Sequence, residues 1–191
     1  MEPLLLDVPR EICTARPVLR VPTAGDGDMV ARSALASLAE LKPWMPWATD
    51  YKAESAEIWC RKSAGQFILR EQIQFMALLG AAGGHLGNLG LFAFDWSARK
   101  CELGYWLATP HHGHGYMTEA VNAVTKLAFD VLGMMRVEID CDVRNQPSRR
   151  VAERCGYALE GILKNIRLDT AGKPYDSCVY AKIREGKQIL D

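Results

Sequence analysis

The sequence predicts a mixed α/β fold, a β-sheet with helices on its faces. Three observations carry the prediction. Met135, Val137, Ile139, Cys141 and Val143 alternate without fault with polar residues, as a half-buried strand does. Met117, Val121, Val124, Ala128 and Val131 recur at helical spacing up to Gly133, a residue suited to a C-terminal cap. The remaining apolar runs are mostly short and bounded by turn-forming residues.

The other elements follow in order. Arg16 to Val21 alternates and ends in the turn-forming Pro22-Thr23-Ala24-Gly25-Asp26, so a strand is expected there. Met29, Val30, Leu35, Leu38 and Leu41 mark a first helix up to Lys42-Pro43, where the residue before proline leaves helical space. Trp44-Met45-Pro46-Trp47 is a proline-broken loop. A second helix runs from about Ala53 to Gln72, with Ala56, Trp59, Cys60, Ser63 and Phe67 on one face. Phe75 to Leu79, Leu86 to Phe94 and Cys101 to Leu107 form an antiparallel meander. After the 117–131 helix and the 135–143 strand, Pro147 and Gly156 bracket a short helix burying Val151, Ala152 and Cys155. Tyr157 to Ile162 and Cys178 to Ile183 supply two final strands.

The chain of 191 residues is 49% hydrophobic, enough for a continuous core, and no repeat or Pro/Gly/Ser-rich linker divides it, so 1–191 is expected to be one domain. Its 23 basic and 23 acidic residues cancel, which argues against nucleic-acid or membrane partners. An RNA-binding module is disfavoured further because a basic-aromatic strand motif is missing. The first residues lack a basic start and long apolar run, and no stretch approaches ~18 uninterrupted apolar residues, so a cytoplasmic protein is expected. Six scattered cysteines show neither C-x-x-C nor zinc spacing and are expected to be reduced and mostly buried.

The chemistry concentrates where a strand, Glu102-Leu-Gly-Tyr-Trp-Leu107, runs into His111-His-Gly-His-Gly-Tyr-Met-Thr-Glu-Ala120 and a helix. Glycines allow close approach of backbone amides, and a first helical turn offers unpaired N–H groups at the positive end of its dipole, so the junction suits a diphosphate. Taken alone, the loop also reads as an ordinary turn. It matches neither the P-loop nor the G-x-G-x-x-G dinucleotide pattern, because Met117 and Thr118 stand where glycines would be needed. His111, His112 and His114 lack carboxylate or cysteine partners at ligand spacing, and no metal is predicted.

Four blocks in order, Glu102-Leu-Gly-Tyr-Trp-Leu, Gly113-His-Gly-Tyr-Met-Thr-Glu-Ala, Asn145-Gln-Pro-Ser148 and Val151-Ala-Glu-Arg-Cys-Gly-Tyr-Ala-Leu-Glu-Gly161, resemble the RimJ/RimL branch of the GNAT N-acetyltransferases, which acetylate protein N-termini. The resemblance spans about residues 14 to 184. Trp44-Met-Pro-Trp47 and Tyr175-Asp-Ser-Cys-Val-Tyr-Ala-Lys-Ile183 also resemble that branch.

The resemblance implies the GNAT fold: a mostly antiparallel sheet of six to seven strands, helices on both faces, and a V-shaped splay between two central strands. Acetyl-CoA would lie between the Glu102 to Leu107 and Arg136 to Val143 strands. Its diphosphate would meet the backbone of Gly113, His114, Gly115, Tyr116, Met117 and Thr118. His112 takes the family's Gln/Arg position, and Met117 replaces a small residue, leaving a backbone contact only. Asn145 would bind the pantetheine arm, Ser148 would protonate the leaving thiolate, and a strand N–H near Trp106 or Leu107 would meet the thioester oxygen. Glu102 shares a face with Gly104 and Trp106 and would relay the amine proton through water.

Each residue has a plainer reading. Glu102 also reads as a strand-end carboxylate or ion-pair partner, Ser148 as a helix cap, Glu160 as structural, and Trp44, Met45 and Trp47 as a core plug rather than an acceptor groove. Arg167 departs from members that carry an acid nearby. The acceptor is expected to be a protein N-terminal amine, with a small-molecule amine or a non-catalytic acyl-CoA-binding role as alternatives, in a monomer or homodimer.

Overall fold

The computed structural model describes residues 2–80, 83–169 and 172–184. Its principal elements are β1 (Glu11–Cys13), β2 (Pro17–Arg20), α1 (Gly27–Leu35), α2 (Leu38–Leu41), α3 (Ala53–Leu69), β3 (Ile73–Leu79), β4 (His85–Asp95), β5 (Lys100–Leu107), α4 (Tyr116–Asp130), β6 (Arg136–Asp142), α5 (Gln146–Arg154), β7 (Ala158–Leu168) and β8 (Pro174–Ile183). The strands form one sheet in the order β1-β2-β3-β4-β5-β6-β8-β7. Every neighbouring pair is antiparallel except β5 and β6.

The predicted fold class holds, with one strand more than the sequence suggested. The addition, β1, is three residues long and pairs Ile12 with Leu19 at the sheet edge, too short to show a period. The β7–β8 hairpin also runs further than expected, to Leu168 and back from Pro174, because cross-strand pairing continues past a bulge between Leu163 and Arg167. No described helix is long and apolar enough to cross a membrane.

Two cores lie on opposite faces of the sheet. Against α4 and α5, the residues Met117, Ala120, Val121, Val124 and Ala152 pack on Leu89, Leu103 and Ile139. Fully buried Val121 and Val124 each contribute roughly 1.5 kcal/mol of apolar burial or more. Against α1 to α3, the residues Val30, Ala34, Ala56 and Cys60 pack on Met76 and Trp106. Five of the six cysteines are buried and all are free, while Cys13 is exposed.

The predicted first helix is broken in two. Ser37, fully buried, donates its Oγ hydrogen to the Ser33 carbonyl (2.9 Å) and accepts the Thr109 N–H (3.0 Å). Such side-chain bonds compete with the helical ladder, and the chain turns between α1 and α2. The buried stripe is also shifted: Val30, Ala31 and Ala34 face inward and Leu35 is exposed. In α3 the expected face holds, with Ala56, Cys60, Ser63 and Phe67 buried and Trp59 partly so.

The feature that positions the site is the β5–β6 pair. It runs in register only from Lys100 with Arg136 to Glu102 with Glu138. Beyond this point β5 stays with β4 to Leu107 and β6 stays with β8 to Asp142, so the two strands part in the middle of the sheet.

The β4–β5 contact admits no side chain at Gly87, where a Cβ would stand 2.2 Å from the Trp106 carbonyl oxygen and 2.8 Å from Leu107 Cα. Both are backbone atoms that cannot rotate away. Gly87→Ala is expected to destabilise the protein by about 2 kcal/mol or more in denaturant titration. Gly161→Ala, where a Cβ meets nothing within 4 Å, is the control expected to stay within about 0.5 kcal/mol of the parent.

Candidate active site

A cavity of about 690 Å³ opens where β5 and β6 part, lined by both strands, the Trp44–Trp47 loop, α3 and the β7–β8 hairpin. The phase of the β4–β5 ladder decides which backbone groups face the gap. Ala108 N–H donates to Leu86 O (2.7 Å), so by strict alternation the Trp106 amide turns back to Asn88, while those of Tyr105 and Leu107 turn toward the splay. Of the Trp106 and Leu107 amides, only that of Leu107 faces the gap.

The glycine loop lies at the open end. Gly115 caps α4 in the left-handed conformation (φ 79°), which bends the chain from the loop into the helix axis. Among the described residues, the N–H groups of Gly113, His114, Gly115, Tyr116, Met117 and Thr118 find no acceptor, leaving a row of donors at the positive end of a fifteen-residue helix. These residues fit a diphosphate. Met117 turns its side chain into the core, so its backbone alone faces the loop. His112 does not point into the row; its Nε2–H donates to Leu107 O (3.0 Å) and ties the loop to the end of β5.

An anchor the sequence analysis missed holds this loop from behind. Glu119, in the first turn of α4, accepts from Thr14 Oγ1 (2.7 Å), the Arg16 backbone N–H (2.7 Å) and Arg16 Nε (2.8 Å). Arg16 also donates to the His114 carbonyl (2.8 Å) and lies over the Tyr116 ring (4.8 Å). No local pattern reveals these contacts, since Arg16 and Glu119 stand 103 residues apart.

On the other side of the gap, Asn145 caps α5, its Oδ1 accepting the Ser148 N–H (3.1 Å). The capping reading of Ser148 is therefore corrected: the cap belongs to Asn145. Ser148 Oγ instead lies 3.1 Å from the Tyr105 hydroxyl, which also donates to the Ser148 carbonyl (3.0 Å). Tyr105 thereby links β5 to α5 across the splay. Burial pushes the Tyr105 phenol well above its usual value, against its hydrogen bond with Ser148, so it stays protonated and able to donate. Asn145, Ser148 and Tyr105 all line the cavity.

Glu102, Gly104 and Trp106 face the α1–α3 side together, as the alternation predicted. Glu102 is an inward carboxylate rather than a solvated strand end. Burial pushes it up to about 7, the charge of Asp140 adding to the effect and Arg167 opposing it. Arg167 Nη2 stands 3.9 Å from Glu102 and 3.3 Å from Asp140. The β6 alternation marked Asp140 as polar but not as facing a cavity, because a solvated strand face carries the same pattern. Glu160 is structural, bound twice by Arg136 (2.9 and 2.6 Å). Trp44, Met45 and Trp47 line the cavity, and Met45 also packs against the second core; Trp47 is 40% exposed and its ring centroid lies 5.7 Å from that of Trp106.

Residues 16–158 match the family model of the acetyltransferase (GNAT) domain. The ribosomal-protein-serine acetyltransferase of Escherichia coli (strain K12) is 35% identical over 86 residues, 44% of this chain and 47% of that protein. The chain spans about half the length of the curated relatives it matches. Among solved structures, RimL, a ribosomal L7/L12 alpha-N-protein acetyltransferase in complex with coenzyme A, superposes with a TM-score of 0.84 at 22% identity, covering 91% of this chain and 97% of its own. The microcin C7 self-immunity acetyltransferase MccE, in complex with acetyl-CoA and AMP, superposes at 0.82 and 21% identity, covering 89% and 93%. At these identities the two structures share the fold.

The Glu119 anchor predicts a pH signature. Partial burial raises its proton affinity, but the Thr14 and Arg16 hydrogen bonds outweigh this and hold the carboxyl below its usual value. A lowered folded-state value means stability that is present above the unfolded value and lost as pH falls through the folded one. The stability difference between the parent and Glu119→Gln in urea titrations is expected to be about 1–2 kcal/mol at pH 7 and to shrink as pH drops below about 4.

Proposed function

The chain belongs to the GNAT acetyltransferase family, and from that premise we propose that it transfers an acetyl group from acetyl-CoA to a primary amine, with a protein N-terminus, a ribosomal one foremost, as the acceptor. The observation that carries the reading is the parted β5–β6 pair, with amide donors at its open end and Glu102 and Ser148 on its two sides. The unpaired N–H groups of Gly113 to Thr118 would hold the diphosphate, and the strand edge facing the gap would run beside the pantetheine arm. The Leu107 amide would meet the thioester oxygen and stabilise the charge it gains.

In the reaction, the acceptor ammonium gives a proton to the Glu102 carboxylate, directly or through water. The freed nitrogen lone pair forms the N–C bond at the thioester carbonyl. The C–S electron pair leaves on sulfur, which takes a proton from Ser148 Oγ. The nitrogen, cationic once the N–C bond has formed, gives up its second proton, which reaches Ser148 through water and the Tyr105 hydroxyl and replaces the one given to sulfur, while Glu102 releases the first to solvent, so that transfer yields amide, thiol and one net proton.

An α-amine, with a usual value near 8, is about a tenth unprotonated at neutral pH, far more than a lysine side chain near 10.4. A carboxylate near 7 is a weak base and is better matched to the α-amine. The E. coli relative's name, ribosomal-protein-serine acetyltransferase, supports a ribosomal acceptor. A second reading, a small polycationic amine, is favoured by the carboxylates of Glu102, Asp140, Asp142 and Asp169 lining one cavity with aromatic walls.

Thiol release from acetyl-CoA with N-terminal peptides of small ribosomal proteins, polyamines and aminoglycosides tests the reading. Turnover with peptides is expected, and Glu102→Gln and Ser148→Ala are each expected to lower kcat by about 10²-fold or more. Cofactor binding in calorimetry without turnover on any acceptor would favour a binding role. Trp47→Ala is expected to raise the acceptor KM several-fold and leave the acetyl-CoA KM unchanged; an unchanged acceptor KM would remove this loop from the groove.

A further inference from the structure

Glu102 does not stand alone beside the splay. The β5–β6 register sets Glu138 opposite it, and Asp140 follows two residues on, along the same face. Asp140 is partly buried, its side chain 17% exposed, and among the described residues its Oδ1 is shut off from solvent without a hydrogen-bond partner. That is a costly position for a carboxylate oxygen unless a nearby cation offsets it. The cation comes from two strands away: Arg167 on β7 reaches over β8 and places Nη2 3.3 Å from Asp140 Oδ2 and 3.9 Å from Glu102 Oε1. Arg136, another cation on this face, is held by Glu138 and Glu160, both at 2.6 Å. Arg167 thus divides one charge between two carboxylates and favours Asp140.

We propose that Asp140 and Arg167 are positioning residues for Glu102: Arg167 is held by Asp140, and the pair keeps Glu102 out of a full ion pair and ready to take the acceptor's proton. The inference rests on the transfer reading above. Each charged group that acts on Glu102 has a part in it. From β6 come Asp140 and Glu138, the latter tied to Arg136; from β7 comes Arg167; β4 offers Phe92 opposite, and the nearby cavity wall offers the neutral Gln72 and Gln74. Burial comes first in lifting Glu102, Asp140 and Glu138 add to it, and Arg167 opposes them, so the two positioning residues act in opposite directions. A purely structural pair would not. Losing either partner of such a pair harms the fold in the same sense, whereas here removing the acid and removing the base must move Glu102 apart.

The test is ¹³C NMR titration of the Glu102 carboxyl in the full chain labelled at glutamate, with Glu102→Gln assigning the signal, beside the pH dependence of kcat/KM. Asp140→Asn is expected to move the Glu102 midpoint and the acid limb of the profile down by about one pH unit, and Arg167→Gln to move both up by about as much. Arg167→Lys, which keeps the charge, is expected to restore most of the parent midpoint. Midpoints that stay at the parent value in both variants, or move the same way, overturn the inference. Should Asp140→Asn fail to fold, Arg167→Gln against Arg167→Lys still decides it by the upward shift and its reversal. The titration needs no turnover, so the absence of turnover on any acceptor would sink the transfer reading and full activity in Glu102→Gln would sink the role of Glu102 in it, while unmoved midpoints would sink this inference alone.

Discussion

Past Glu102 and Glu138, the backbone groups of β5 and β6 no longer meet, although both strands continue through the centre of the sheet. Each strand keeps its outer partner, β5 with β4 and β6 with β8, so the opening is stable without a backbone ladder across it. Interior backbone donors and acceptors need partners, and a gap lined by them is a site for a polar chain. The other functional elements sit where they do because of this break: α4 starts beyond the end of β5, α5 starts beyond the end of β6, and the cavity lies between.

The gap is framed by a few long-range contacts rather than by continuous pairing. Tyr105 spans it through its hydroxyl to Ser148, His112 ties the glycine loop to the last carbonyl of β5, and Arg16 with Glu119 fixes the start of α4 from the far end of the chain. These contacts use strong geometry, several hydrogen bonds on one carboxylate in the case of Glu119, at positions where the loop itself has few internal bonds. The loop's own N–H groups are thereby left free, which is the condition for binding an anion through backbone amides.

Electrostatics on the acceptor side follow from the same topology. Strand register places Glu102, Glu138 and Asp140 on one face, where burial first and neighbouring negative charge after it raise the proton affinity of Glu102 and Asp140. Two arginines relieve it unequally: Arg136 is committed to Glu138 and Glu160, and Arg167 leans toward Asp140. The residue left least neutralised is the one nearest the proposed chemistry.

The sequence by itself determined the order of elements apart from β1 and the α1–α2 break, the α4 helix, the β6 alternation, the glycine loop and the four motif blocks, since each is written in neighbouring residues whose spacing matches a local period or turn. It placed Glu102, Gly104 and Trp106 on one face for the same reason. The tertiary structure alone decided what those faces meet. The polar stripe of β6 looks solvated until α1 to α3 and the β7–β8 hairpin close over it, and Ser148 looks like a cap until Asn145 is seen to take that place. Asp140, Arg167, Tyr105 and Arg16 gained their partners across 27, 65, 43 and 103 residues of chain. No period in a single sequence encodes such pairings, because they arise only when strand order and register have brought distant segments together.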